Sequence, residues 1–524
     1  MQIGKFIRRY RNLKRFFALI LVLLMIIPMV VACNKEEESE SSSSTSSSIT
    51  PPDESSSTTP DPGYTGGPLP PPNNGGISSK DEVITDWSGK TLNVLVTRYG
   101  ANASYPWGQV ELCADTFGEG IGQAYDERQA EILSKYGVEV DWIPAQANQF
   151  IATDLATAEL SDTLHYDIAI PRVNEVQALV SSVYNMRESD YLDFNNDYFS
   201  LAAYEAFTVS GYTLFAAGGH DFADDQSSYV MLFNKELLAE KAPAADLYAE
   251  IKNGNWTYEG LSSISQLVKG DDGNGTLGDE DTYGFGVKSI DILYYCFGIF
   301  EADVDPDTGM YRFAFDLDAE KVDTVIALMK SARSSDWART SGWGGDWGSN
   351  MHTAFEDGRL LFFYDVAQKI TELKFDFSYG IVPFPKLNAE QEDYIVPVNR
   401  EQITVICIPR VTQDRQMSEY FIDVLAWTGN DYTVAAYYDT IEATMDMETA
   451  EDDMEIIVNY VFKKIDYDIG CITCGSGTSL LKDIKDRTLG DSSFAAIMLE
   501  ERAALVETVQ SWNNAWAGYD GDME

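Results

Sequence analysis

Histidine, cysteine and positive charge are all scarce in this chain of 524 residues, and each scarcity removes a class of function. The three histidines, His165, His220 and His352, stand at no metal-ligand spacing from one another. No Gly-x-Ser-x-Gly elbow, Walker loop or paired Cys/His site is present, so neither nucleophilic nor nucleotide-dependent chemistry has its usual carrier. Six cysteines are too few to staple a chain of this length, which excludes a disulfide scaffold. Lys and Arg number 37 against 84 Asp and Glu, a formal net charge of −47. So acidic a surface repels nucleic acid and anionic lipid headgroups alike.

Most of the cysteines read as packing. Cys113, Cys296 and Cys407 lie in apolar or mixed surroundings. Cys471 and Cys474 form a lone "CITC" without the small redox unit or second ligand pair that thioredoxin-like or zinc chemistry requires. A local disulfide and two free thiols both fit.

Cys33 is different. It follows a basic head (Lys5 to Arg15, with no acid) and an unbroken apolar run from Phe16 to Ala32, the form of a secretory signal. The tetrapeptide Val30-Val31-Ala32-Cys33 resembles the lipobox of bacterial lipoproteins, in which the cysteine receives a diacylglycerol and the chain is cut just before it. An uncut anchor is the alternative, since the apolar run is near the lower limit for a spanning helix; the small-residue-then-Cys order favours the lipobox. Residues 1–32 are then a signal peptide, and the mature chain, six positive charges poorer, carries −53. Residues 33–86, rich in Ser, Thr, Pro and Gly, cannot bury enough apolar surface to offset their ordering entropy and read as lipid attachment plus disordered tether.

From Trp87 onward the patterning is regular. "TLNVLV", "VEVDWI" and "YDIAI" alternate as strands with helical segments, one of which ends at Gly137, and this order predicts a parallel sheet. Ligands of such sheets sit beyond the strands' carboxyl ends, here Thr97–Gly100 and Pro171–Asn174. The remaining length exceeds one core, so two lobes are expected: residues 87–220 with 350–405, and 235–345 with much of 406–524.

Several stretches in order, "GYTLFAAGG", "YVMLFNKELL", "DLYAEIKNGNWTYEGLSSISQLV", "FEDGRLLFF" and "YGIVPFPKLNAEQEDYIVPV", resemble the family 1 extracellular solute-binding lipoproteins of ABC importers. The characterised members of that group bind mostly oligosaccharides. The resemblance implies an α/β, two-lobed periplasmic-binding-protein-like fold (type II), with hinge crossovers and a C-terminal helical region. It also implies a non-enzymatic monomer without cofactor, held at the outer face of the cell membrane by lipid on Cys33 and delivering a sugar to ABC permease subunits. A secreted glycoside hydrolase needs only two placed carboxylates and is the alternative, as is a surface adhesin.

For the ligand site, Arg98 and Tyr99 follow a core strand at its binding end, and Asp224 and Asp225 lie on the loop between two strand-like runs. Trp343, Asp346 and Trp347 stand in the Gly-rich "SGWGGDWGSN", where indoles line a cleft more readily than they build a core. Trp256, ahead of the capping Thr257, reads as a packing residue instead. In "GDDGNGTLGDED" a calcium loop would put Asp272, Asn274 and Asp281 at ligand positions, but Gly270 offers no side-chain oxygen at the first. An acidic turn without metal is the expectation.

Overall fold

Alternation along TLNVLV produces β1 (Thr91–Val96) and divides its side chains between two cores. Leu92, Val94 and Val96 join one apolar cluster, and Leu95 joins the other. The computed structural model describes residues 78–97, 112, 117–146, 150–161, 163–271, 273–287, 289–340, 349–372, 375–445, 450–473 and 479–519. Helix α1 (Glu119–Tyr136) buries Ile121, Ala124, Arg128, Ile132 and Tyr136 along one face. It ends where expected, at Gly137, whose φ of 71° lets its amide close on the Leu133 carbonyl. Any Cβ there would lie 2.2 Å from Ser88 Oγ, so glycine is required twice over.

The chain then lays down β2 (Glu139–Pro144), α2 (Ala152–Glu159) and β3 (Ile168–Ile170). These strands form a parallel sheet in the order β2–β1–β3. Residues 404–407 lie antiparallel beside the β3 segment through Ala169↔Cys407 and Arg172↔Thr404, and beside residue 216 through Ala216↔Ile406.

A second sheet holds β4 (Tyr229–Asn234), β5 (Tyr283–Gly286), β6 (Ala338–Arg339), β7 (Leu360–Val366) and β8 (Tyr379–Val382) in the order β6–β5–β7–β4–β8. Strand β7, LLFFYDV, is buried at every position, as suits the middle of a sheet covered on both faces. Between β4 and β5 lies α3 (Tyr258–Ser265), capped by Thr257. Trp256 just before it is 1% exposed and donates Nε1 to the Pro383 carbonyl at 3.0 Å, a packing residue as read from the sequence. Where the chain passes between the sheets, the Tyr229 amide bonds the Pro397 carbonyl at 2.9 Å and the Asn399 amide bonds Ser227 at 2.8 Å. The two crossovers therefore run side by side.

Two expectations are corrected. Strands β7 and β8, within the 350–405 stretch assigned above to the first lobe, belong to the second sheet, where they flank β4 in antiparallel register. Residues 78–86, read above as part of the tether, also pack on the folded chain. Ser79 is fully buried, with its amide and hydroxyl on Asp423 Oδ2 (2.9 and 2.6 Å) in α4 (Arg415–Gly429). Trp427 donates to the same Ser79 hydroxyl at 3.1 Å. The C-terminal helix α5 (Phe494–Ala517) reaches both halves: Trp516 donates to Gln177, and Asn513 accepts from the Tyr311 amide. Among the described residues no helix is long and apolar enough to cross a membrane.

Candidate functional site

A cavity of ≈ 670 Å³ opens near the carboxyl ends of β5 and β7, walled on one side by crossover residues 397–401. Its volume suits a ligand of a few rings. Tyr229 opens β4 and Tyr364 lies on the neighbouring antiparallel strand β7, their rings 6.0 Å apart at 69°. The Tyr364 hydroxyl donates to the Ser289 carbonyl (2.8 Å) and accepts from the Ser289 amide (2.9 Å), which pins the loop after β5. Among the described residues the Tyr229 hydroxyl makes no such bond, and its half-buried ring borders the open space.

The far wall is a polar lattice. Glu301, fully buried, receives Lys485 Nζ at 2.8 Å, the Tyr295 hydroxyl at 2.5 Å and the Leu481 amide at 3.0 Å. Burial opposes charge on Lys485, but Glu301, Cys471 and Asp291 together outweigh it and raise the ammonium's pKa above the usual lysine range. Asp468 accepts the amides of Glu301, Ala302 and Gly470 at 2.8, 3.2 and 3.0 Å. Burial, reinforced by the neighbouring Glu301, pushes its carboxyl above the normal range. On the crossover, Arg400 Nε lies 3.4 Å from Glu401, which also meets Arg172 at 3.3 Å.

Asp466 differs from these. It accepts the Tyr467 amide at 2.8 Å and, among the described residues, has no cation beside it. Burial, with Glu205 nearby, pushes it up to about 6.

Of the residues expected at the ligand, Arg98, Tyr99, Trp343, Asp346 and Trp347 lie outside the described residues, as does Cys33. Asp224 and Asp225 are described, and protein hydroxyls already engage them. Tyr467 donates to Asp224 at 3.2 Å and Tyr438 to Asp225 at 2.9 Å. Burial, then the nearby Asp221, pushes Asp224 up to about 7, and burial, then Asp224, raises Asp225. Neither lines the cavity, so the structure does not bring them together with the residues that do. Trp337, from the same Trp-rich stretch, is a core residue at 8% exposure. In the acidic turn, Asp271 accepts the Gly273 and Gly275 amides and Asp281 accepts that of Gly278, while Asp272 lies outside the described residues. Among the described residues no group of His, Cys, Asp and Glu is placed to hold a metal ion.

The sequence reading missed Tyr229, Tyr364, Arg400, Asp466 and Lys485, which come from segments far apart in the chain and share no motif. It did mark the end of β3. There Asn174 is 8% exposed with both carboxamide atoms unbonded, and Gln402, next to it in the ladder register, has its Oε1 unbonded. Desolvated polar atoms of this kind cost about 1–3 kcal/mol each. Asn174→Leu, similar in shape, is accordingly expected to raise the free energy of unfolding in urea by about 1 kcal/mol. A comparable loss would mean the carboxamide is held by ordered water.

No family model matches the chain, and no curated protein matches it. Solved structures do. UspC of M. tuberculosis aligns with 80% of this chain and 99% of its own at 14% identity, with a TM-score of 0.51. The chain has the two-lobed periplasmic-binding-protein-like fold. Also similar are a cyclo/maltodextrin-binding protein complexed with maltotetraose (82% and 98% covered, 10% identity, TM-score 0.49) and the ABC substrate-binding protein Lmo0181 from Listeria monocytogenes in complex with cycloalternan (80% and 99%, 12%, 0.48).

Proposed function

We propose that this protein captures an extracellular oligosaccharide and hands it to an ABC importer permease, held at the membrane by lipid on Cys33. The observation that carries the reading is the cavity, which on a solute-binding fold joins tyrosine faces to a rim of placed carboxylates, amides and cations. A sugar presents apolar C–H faces and a ring of donors, so it requires both kinds of surface. Arg98, Tyr99, Trp343, Asp346 and Trp347 remain proposed ligand contacts. Asp224 and Asp225 are proposed to act only indirectly, through the hydroxyls they accept, Tyr467 on Asp224 and Tyr438 on Asp225.

The test is a thermal-shift screen over soluble oligosaccharides, with maltotetraose and cycloalternan included. A true ligand at one hundred times its Kd adds about 2.7 kcal/mol of stability, and a binding protein returns it chemically unchanged. A sugar recovered cleaved would make the protein a hydrolase, and a panel without any shift would remove the saccharide reading.

A further inference from the structure

Resting on that saccharide reading, we infer that the preferred solute carries a protonated amine that seats on Asp466, and that acidic sugars are refused. The argument begins with what each charged group in the cavity already has. Lys485 is held by Glu301 and faces Asp291 at 3.8 Å. Arg400 is occupied by Glu401 and by the Cys471 carbonyl at 3.3 Å. Asp468 has its backbone amides. Five carboxylates line the cavity against these two cations, and both cations are already engaged.

Asp466 is left with one amide and one carboxylate neighbour, Glu205. A partly buried carboxylate without a counter-charge is costly, and a cationic ligand group removes that cost where a hydroxyl relieves it only in part. The half-buried ring of Tyr229, its hydroxyl unbonded among the described residues, supplies the electron-rich face that ammonium groups favour. At long range the chain's net charge of −47 concentrates cations at the cavity mouth and repels anions.

Amino sugars with a free amine match this arrangement; their N-acetylated forms keep the shape and lose the charge. The experiment is calorimetric titration of the whole mature protein near pH 7 with four tetramers: glucosamine, N-acetylglucosamine, maltotetraose and galacturonate. The inference expects the glucosamine tetramer to bind at least about tenfold tighter than its acetylated counterpart, and no binding by the galacturonate. A tenfold preference corresponds to 1.4 kcal/mol. In Asp466→Asn the ratio between the amine and acetylated tetramers should fall to about one. Neutral tetramers binding as tightly as the amine, or a preference that survives Asp466→Asn, overturns the inference alone. Failure of all four to bind overturns it together with the saccharide reading.

Discussion

Lys485→Met is expected to lower the stability of the protein by roughly 3–5 kcal/mol, the usual cost of stranding a buried partner charge. Glu301 is fully buried, and Lys485, at 10% side-chain exposure, is the only cation paired with it among the described residues. With the ammonium gone, the carboxylate keeps the Tyr295 hydroxyl and the Leu481 amide but loses its counter-ion. It must then protonate or drag in water. Because Glu301 joins the loop ahead of residue 302 to residue 481, the loss also loosens one wall of the cavity. The double variant with Glu301→Gln, which removes the stranded charge, should recover most of the loss. Chemical denaturation of both variants checks this. Equal destabilisation of single and double would show that packing, rather than the charge, holds this wall.

The second large effect is on pH dependence. Glu175 is 2% exposed, and burial pushes its carboxyl up to about 7, although it accepts the Ala152 amide at 3.1 Å. A carboxyl whose folded pKa lies above its unfolded value binds more protons when folded, so stability falls as pH rises between the two values. For Glu175 that window runs from about 4.5 to about 7. A shift of this size corresponds to about 3 kcal/mol. Asp224, Asp225 and Asp466 are displaced in the same direction. Self-repulsion of a chain at −47 also grows with pH. The melting temperature should therefore be higher near pH 5 than near pH 8, and Glu175→Gln should flatten part of the slope. An unchanged slope in the variant would assign the dependence to global charge.

Local signals in the sequence were sufficient for the first sheet. Alternation located β1, the apolar face and Gly137 bounded α1, and Thr257 capped the helix that Trp256 packs against. Strand pairing is not local. The run LLFFYDV announces two-sided burial but not which sheet receives it, and its partner β4 lies well over a hundred residues earlier in the chain. That is why β7 and β8 were grouped with the first lobe. At the site, glycine-rich chain with tryptophans drew attention to Trp343 and Trp347, which lie outside the described residues. Asp466 and Lys485 went unread because their surroundings, "KKIDYDIG" and "LKDIKDRT", look like ordinary helical and turn sequence. What distinguishes them is desolvation and the absence or presence of a counter-charge, and only the folded arrangement creates those.

The central claim is that a saccharide occupies the cavity beside the crossover. A crystal structure of the protein saturated with the tightest saccharide of the panel tests it most directly. The account predicts sugar density within the ≈ 670 Å³ space, a ring face on Tyr229 and a donor within hydrogen-bond distance of Asp466. Sugar density elsewhere, for instance in the open groove lined by His165, Arg410 and Gln413, with the cavity left to solvent, would contradict it.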